Sequence, residues 1–172
     1  MNKYLIFRTD KIGDFLLTAI LIKSIKRNDP SSHITIVASE KNFNYIKSFK
    51  NVDQVFLLKK GLINRFNLIR ILNKYKYKVI ILHDSKKRSS FISFFLKTSL
   101  KIKPNTNLTI SHFLIIKDIL NKLNFNFEDS DLNFLDNRSY EKSIKLPDNF
   151  IQLHFDEKWI HSEYIADYVK IE

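Results

Sequence analysis

The residues with the clearest potential for chemistry lie in a short polar loop near the start of the chain, Arg8-Thr-Asp-Lys-Ile-Gly13-Asp14. Asp14 is the strongest candidate, because a carboxylate can act as a general base that takes the proton from an attacking hydroxyl group. A helical pattern begins at Asp14, so its carboxylate is expected to face free backbone N–H groups. The alternative is an ordinary N-cap aspartate, which stabilises a helix by about 1 kcal/mol and has no catalytic role.

Four other residues of this loop extend the candidate site. Asp10 and Lys11 can orient a substrate, or they can form a solvated surface pair. Arg8 can bind an anionic group, or it can form a salt bridge to Asp10 or Asp84. Gly13 is one of only two glycines in the chain, and we expect it to serve the backbone geometry of the turn rather than direct contact.

A second polar cluster follows a predicted strand and contains the basic residues Lys86, Lys87 and Arg88. Such a group can hold phosphates or other anionic groups, with arginine suited to bidentate contacts. The alternative is the solvated start of a helix. The adjacent His83 is expected to be a packed strand-end imidazole rather than a ligand. The five histidines are scattered without the spacing of a metal site, and no glycine-rich nucleotide motif is present, so we expect neither a metal nor a dinucleotide cofactor.

Alternating apolar runs and helical periods predict how these clusters are positioned. Continuous apolar runs predict buried parallel strands at 4–7 and 79–82. Further strands are predicted at 33–38, at 55–58 and, as a short strand before Pro104, at 100–103. Helices are predicted from Asp14, over 40–49 with Ser39 as the cap, from Leu62 with Phe66, Ile69 and Leu72 on one face, around 91–95, and over 113–123. This alternation predicts an α/β protein with a Rossmann-like doubly wound parallel sheet.

Ligands bind beyond the carboxyl ends of the strands in such a sheet. Four polar clusters follow predicted strands, so they are expected to form one cleft: Arg8 to Asp14, Ser39-Glu40, Lys59-Lys60, and His83 to Arg88.

The C-terminal part of the chain has a different pattern. Residues 124–149 are polar and irregular, with a short strand predicted at 132–135. An apolar strand at 150–155 and a helix from Ser162 follow. We therefore predict two domains, residues 1–148 and residues 149–172.

The first thirty residues also resemble the opening of glycosyltransferase family 9, the bacterial heptosyltransferases of lipopolysaccharide core synthesis. Members begin with a strand, then Arg-x-Asp/Ser-x-x-Gly-Asp, then an apolar helix that ends in a basic residue and a proline. The corresponding residues here are Arg8, Asp10, Gly13, Asp14 and Pro30. A weaker resemblance continues to the C-terminus but covers only the first half of such an enzyme.

This resemblance implies the N-terminal, acceptor-side domain of a GT-B glycosyltransferase, followed by only the start of the donor-binding domain. It implies inverting transfer of a sugar from a nucleotide-sugar donor such as ADP-heptose to an anionic lipopolysaccharide-type acceptor. Asp14 would be the catalytic base. Lys158, in the motif Glu157-Lys158-Trp159, would contact the phosphates of the donor and offset leaving-group charge. From their positions at the predicted cleft, the candidate acceptor-binding residues are Arg8, Asp10, Lys11, Gly13, Lys86 and Arg88.

Composition adds limits on location and partners. The net charge is +11 and the sequence pI is about 9.7, which reflects a lysine-rich surface or a preference for anionic acceptors and the anionic inner leaflet. No nucleic-acid recognition motif is present, so nucleic acid is not an expected partner. The absence of cysteine fits a reducing compartment, and no apolar run is long enough for a membrane span. We expect a cytoplasmic protein with peripheral contact at the inner membrane.

Besides a basic nucleic-acid binder, which only the positive charge suggests, two hypotheses for function remain. The first is the glycosyltransferase, and we expect the 172-residue chain alone to show no detectable transfer, because catalysis requires both substrates to be held in place. The second is a non-catalytic Rossmann-like module that binds an anionic glycan or lipid, or that pairs with a separate second half.

Overall fold

Five parallel strands form the centre of the structure, a computed structural model that describes residues 1–104 and 111–133. The strands are β1 (Lys3–Arg8), β2 (His33–Ala38), β3 (Gln54–Leu57), β4 (Tyr77–Ile81) and β5 (Thr98–Ile102). Their order in the sheet is β3-β2-β1-β4-β5. Strands β2 and β3 are added on one side of β1, and β4 and β5 are added on the other. This order is that of the Rossmann fold.

Each strand is followed by a helix, as the sequence pattern predicts. The helices are α1 (Ile12–Asn28), α2 (Phe43–Lys47), α3 (Leu62–Leu72), α4 (Lys87–Phe94) and α5 (His112–Lys122). A 3₁₀ helix follows at Asp129–Leu132. The predicted fold class, an α/β protein with a Rossmann-like doubly wound parallel sheet, is confirmed.

Strand β1 is the central strand, and its side chains alternate between two apolar cores. Tyr4 and Ile6 belong to the core that packs under α1, α2 and α5. Leu5 and Phe7 belong to the core that packs under α3 and α4. All four side chains are almost completely buried, which explains why the sequence of β1 is a continuous apolar run rather than an alternating one.

Hydrogen bonds in the loop after β2 explain why the predicted start of α2 is wrong. Helix α2 begins at Phe43 rather than Glu40, and Ser39 does not cap it. Instead, the backbone N–H of Ser39 donates to the Asn42 side-chain oxygen at 2.9 Å. The Ser39 carbonyl in turn accepts from the backbone of Asn42 and Phe43. Because of these bonds, residues 39–42 form a turn, although the sequence predicts a helix from residue 40.

The predicted inward face of α3 is correct only in part. Ile69 and Leu72 are buried, together with Leu68, whereas Leu62 and Phe66 are exposed. Helix α3 meets the sheet through its C-terminal half, so the apolar residues of its first turns do not reach the core.

The strand predicted at 132–135 is wrong where it can be compared. Leu132 closes the 3₁₀ helix at Asp129–Leu132 and is partly exposed, and residues 134–135 lie outside the described residues. The predicted domain boundary at 148/149, the strand at 150–155 and the helix from Ser162 also lie outside them. The chain divides into two units, Met1–Tyr140 and Glu141–Glu172, and every described residue belongs to the first.

A buried carboxylate explains why this segment is not a strand. Asp131 accepts hydrogen bonds from Ser24 Oγ at 2.7 Å, from the Arg27 guanidinium at 3.0 Å and from the Glu128 backbone at 3.0 Å. Burial alone would raise the pKa of Asp131, but these hydrogen bonds outweigh it and lower the pKa. The segment is therefore attached to α1 through a charge-assisted pair.

We predict that Asp131→Asn lowers the free energy of unfolding by about 2 kcal/mol, because an amide N–H₂ would then face groups that all donate. Urea unfolding at neutral pH measures this. Asp118→Asn is the matched control, because Asp118 pairs with Lys122 on the surface, where both side chains are about half exposed. Its cost should stay within about 0.5 kcal/mol. Equal costs for the two variants would contradict the anchoring role of Asp131.

Candidate functional site

A cleft of about 470 Å³ lies at the carboxyl edge of the sheet, where β1 and β4 are adjacent and the strand order reverses. Open α/β sheets bind ligands at this position. All four polar clusters predicted from the sequence contribute to its walls. The lining residues are Thr9, Asp10, Lys11, Ser39, Glu40, Lys41, Leu58, Lys60, Lys86 and Arg88. Five of these side chains are cationic and two are acidic, so the cleft favours an anionic ligand.

Arg8 lies beneath this cleft rather than in its wall, and its side chain is buried. Its Nε and Nη2 donate to the backbone carbonyl of Asp14 at 2.9 and 2.5 Å, and its Nη1 donates to the carbonyl of His83 at 2.7 Å. It also forms ion pairs with Asp10 at 3.2 Å and with Asp14 at 3.8 Å. The sequence suggests a salt bridge from Arg8 to Asp10 or Asp84, and the structure has the one to Asp10. Arg8 therefore connects β1, α1 and the end of β4.

Asp84 is a second buried charge, and it organises the loop after β4. Its Oδ2 accepts from the Thr9 hydroxyl at 2.5 Å, from the Thr9 backbone at 3.2 Å and from the Ser89 hydroxyl at 2.6 Å. Its Oδ1 accepts from the Lys86 backbone at 3.2 Å. This carboxylate fixes the loop after β1 against the first turn of α4.

Arg88 is partly committed to the same network. Its Nε and Nη2 donate to the Thr9 hydroxyl at 3.1 and 2.9 Å, and Nη2 also donates to the Thr9 carbonyl. Arg88 is half-buried, whereas Lys86 and Lys87 are exposed at the start of α4. The basic triplet is thus divided between one positioned guanidinium and two solvated ammonium groups.

Asp10 lines the cleft and forms the shorter of the two ion pairs of Arg8. Burial raises the pKa of Asp10, and the Arg8 guanidinium offsets only part of this effect. Lys11, the next residue, is exposed. Asp10 and Lys11 therefore do not form a solvated surface pair, since Asp10 is partly buried and pairs with Arg8.

Asp14 neither begins its helix, as the sequence predicts, nor caps it, as in the alternative interpretation. Helix α1 begins at Ile12, which makes Asp14 its third residue. The Asp14 Oδ2 accepts from the Lys11 backbone N–H at 3.2 Å, so it satisfies a donor that precedes the helix. The side chain is 39% exposed and does not line the described cleft. It lies beside the cleft, one helical turn from Lys11.

Gly13 does not occupy a backbone conformation that requires glycine. It lies in the first turn of α1 without a positive φ, and a Cβ atom built there would have no neighbour within 4 Å. The expectation that Gly13 serves the geometry of the turn is therefore wrong. What glycine provides at this position is open space next to Asp14.

His83 is buried at the end of β4, as the sequence suggests. Its Nδ1 lies 2.8 Å from the hydroxyl of Thr18 on α1. Burial lowers the pKa of His83 to about 3, and the nearby Arg8 and His112 add to the effect. The imidazole is therefore neutral at physiological pH and connects β4 to α1.

Three positioning residues escaped the sequence reasoning: Thr9, Thr18 and Asn42. Asn42 donates from its side chain to the carbonyl of Arg8 at 2.9 Å and accepts from the Ser39 backbone. An asparagine within a few residues of the end of a strand is typical of a turn, and Asn42 could have been recognised from this. Thr9 and Thr18 gave none, because their partners are far away in sequence.

Lys158 lies outside the described residues, so its predicted contact with the donor stays a prediction. Within residues 1–104 and 111–133, no group of three or more His, Asp or Glu side chains is arranged to hold a metal ion. No helix in these ranges is long and apolar enough to cross a membrane.

We predict that stability falls as the pH is lowered from 7 to 5, because unfolded His83 takes up a proton near pH 6.5 while the folded protein excludes it until about pH 3. The loss from this residue at pH 5 should be about 2 kcal/mol. Urea unfolding at both pH values measures it, and His83→Gln should remove most of the difference. A His83→Gln variant that loses as much stability as the wild type would contradict the buried, neutral imidazole.

Comparison with known proteins finds a similar fold in glycosyltransferases of solved structure. No protein-family model matches the sequence, and no curated protein sequence matches it. A family 9 glycosyl transferase from Veillonella parvula has a similar structure, with a TM-score of 0.61 and 18% identity over 75% of this chain and 43% of that one. E. coli heptosyltransferase WaaC, solved with ADP, gives a TM-score of 0.61 and 12% identity over 74% of this chain and 49% of WaaC.

E. coli ADP-heptose lipopolysaccharide heptosyltransferase II is a more distant match, with a TM-score of 0.52 and 14% identity over 60% of this chain and 30% of that one. This chain thus spans about half or less of the length of each of these proteins. At such low identity the similarity concerns the fold. The described residues have the Rossmann-like α/β fold that occurs in family 9 glycosyltransferases.

Proposed function

We propose that this chain is the acceptor-side part of a family 9 glycosyltransferase, one that transfers a sugar from a nucleotide-sugar donor to an anionic glycolipid acceptor. The observation that carries the proposal is the basic cleft at the switch point of the sheet, with the exposed carboxylate of Asp14 beside it. The fold similarity to heptosyltransferases supports ADP-heptose as the donor and a lipopolysaccharide-type acceptor. Such a protein would work in the cytoplasm.

In this proposal Asp14 is the general base of a single inverting displacement. It would take the proton of the acceptor hydroxyl as that oxygen bonds to the anomeric carbon and the nucleoside diphosphate leaves. Its two oxygens are held from one side by the Lys11 backbone and by Arg8, which leaves the other side for the acceptor. Lys158 would offset the negative charge on the departing diphosphate.

Acceptor anions would bind to the cationic wall of the cleft. Lys11, Lys60 and Lys86 are exposed there, and each can reach a phosphate or carboxylate as a mobile point charge. Arg88 would add a positioned guanidinium, since Thr9 fixes its plane. Asp10 would accept a hydrogen bond from an acceptor hydroxyl.

Arg8 would act through other residues in this scheme rather than touch the acceptor. Its donors are occupied by two backbone carbonyls, and its charge is paired with Asp10 and Asp14. Loss of Arg8 would release both carboxylates from their present positions.

The direct test measures transfer from radiolabelled ADP-heptose to heptose-deficient lipopolysaccharide, using the longest polypeptide that the gene encodes. We predict that Asp14→Asn lowers kcat at least about 100-fold, the usual contribution of a general base, while the Kd for the donor stays within about twofold. Asp118→Asn, on the surface of α5, is the matched control and should retain full turnover. An Asp14→Asn enzyme with more than a few per cent of wild-type turnover would rule out the base assignment.

A second prediction concerns Gly13, where alanine should favour the stability of the helix but hinder the binding of the acceptor. Gly13→Ala should leave the free energy of unfolding unchanged or raise it by up to about 1 kcal/mol, because alanine is the better helix former. The same methyl group would occupy the open space next to Asp14 and should weaken acceptor binding or turnover at least about tenfold. Urea unfolding and the transfer assay measure the two effects.

A stable Gly13→Ala protein with wild-type transfer would show that no substrate approaches the first turn of α1. A Gly13→Ala protein that is strongly destabilised would contradict the backbone geometry on which this prediction depends.

A further inference from the structure

Helices α3 and α4 carry a group of exposed apolar side chains that the proposed transfer reaction does not use. Ile63 and Phe94 are each 78% exposed, and three other large apolar residues of the same two helices are also exposed: Leu62, Phe66 and Phe95. We call these five residues the apolar patch. Isolated exposed apolar residues are common on protein surfaces, but a contiguous group indicates an interaction site.

The patch is continuous because its aromatic rings contact one another. The Phe66 ring centroid lies 6.5 Å from that of Phe95, and the Phe95 centroid lies 5.3 Å from that of Phe94. The partly buried Phe91 joins them, at 6.1 Å from Phe66 and 5.2 Å from Phe95. Leu62 and Ile63 lie four and three residues before Phe66, so they share its side of α3.

A cationic groove borders this patch. It has a volume of about 540 Å³ and is lined by Arg65, Lys86, Lys87, Arg88 and Phe91. No acidic residue belongs to this lining. Phe91 contacts the patch, and Lys86 and Arg88 also line the cleft, so the groove connects the patch to the candidate site.

The charge of the whole protein is concentrated in the segment that forms this surface. Residues 54–104, which contain β3, α3, β4, α4 and β5, include 13 Lys and Arg residues and a single acid, Asp84. Asp84 is buried and cannot balance the exposed cations. This segment therefore has a larger positive charge than the whole chain, whose net charge is +11, so its cations account for the entire excess.

We propose that the apolar patch and the cationic groove form a docking surface for an anionic phospholipid bilayer. The most exposed side chains of the patch, Ile63 and Phe94, would enter the interfacial region, where an amphipathic surface buries its apolar residues. Arg65 and Lys87 would bind lipid phosphates, since basic residues near an anionic membrane contribute to binding individually. Apolar burial and electrostatic attraction would then act on the same two helices.

Charge also argues against a second copy of this chain as the occupant. A twofold contact places the same surface on both subunits, so two strongly cationic segments would face each other. Such like-charge pairing opposes association, whereas an anionic bilayer relieves it.

The test measures binding of the 172-residue protein to vesicles by co-sedimentation, without donor or acceptor, so the result does not depend on the proposed transferase activity. We expect binding to vesicles of phosphatidylglycerol and phosphatidylcholine, weaker binding at high salt, and little binding to phosphatidylcholine alone. The double variant Ile63→Ser/Phe94→Ser should bind at least about tenfold more weakly. Leu114→Ser is its matched control, because Leu114 is an exposed apolar residue on α5, and it should bind like the wild type.

The electrostatic part has its own pair of variants. Lys87→Glu should weaken binding by about 30-fold, since it removes one attractive charge and adds a repulsive one. Lys50→Glu makes the same change of net charge at an exposed lysine outside the groove, and its effect should stay below about threefold. Thermal unfolding of each variant verifies that it is folded.

Three results would overturn the proposal. One is a wild-type protein that ignores phosphatidylglycerol, or that binds both vesicle types equally. Another is a double variant that binds as tightly as Leu114→Ser. The third is a double variant that loses a dimer in analytical ultracentrifugation but keeps its vesicle binding, which would assign the patch to contacts between copies.

Discussion

The buried charge of Arg8 is the constraint on which the candidate site depends. Removing a guanidinium from water costs several kcal/mol unless partners replace the lost hydration. The fold supplies two backbone carbonyls and two carboxylates from α1, the loop after β1 and the end of β4. Each of these groups must therefore keep its position for the protein to remain folded. The relative placement of Asp10 and Asp14 is thus a consequence of folding, and a substrate does not have to assemble it.

A second buried charge, Asp84, does the same for the other side of the cleft. Its hydrogen bonds to Thr9 and Ser89 join the loop after β1 to the first turn of α4, and Thr9 in turn orients Arg88. Two opposite buried charges, Arg8 at the end of β1 and Asp84 in the loop after β4, therefore hold the rim of the cleft, while the lysines of the cleft remain exposed to a ligand. The buried network fixes the floor of the cleft, and long lysine side chains line its opening. This arrangement suits a ligand whose hydroxyl groups bind at the floor and whose anionic groups bind to the lysines.

The sheet was predictable from the sequence because burial on two faces requires an uninterrupted apolar run, and Tyr4 to Phe7 is such a run. The position of the cleft followed from topology alone, since polar residues after parallel strands converge at one edge. The details of the loops were not predictable. Asn42 rather than Ser39 shapes the start of α2, and its side chain also bonds to the carbonyl of Arg8, 34 residues away. Arg8 is buried rather than presented to solvent, and one of its bonds reaches the carbonyl of His83, 75 residues away. Local propensity carries no information about such pairs.

The two faces of the sheet also differ in a way that residue counts for the whole chain conceal. On the α1 side, cations such as Arg27 and Lys26 are paired with Asp131 and Asp53, so that layer is electrostatically balanced. On the α3 and α4 side, the segment from 54 to 104 has one acid, and that acid is buried in the loop network. Folding would be easier with a balanced surface, because like charges repel. An unbalanced surface next to exposed aromatic rings is therefore better explained by an external anionic partner than by the needs of the fold.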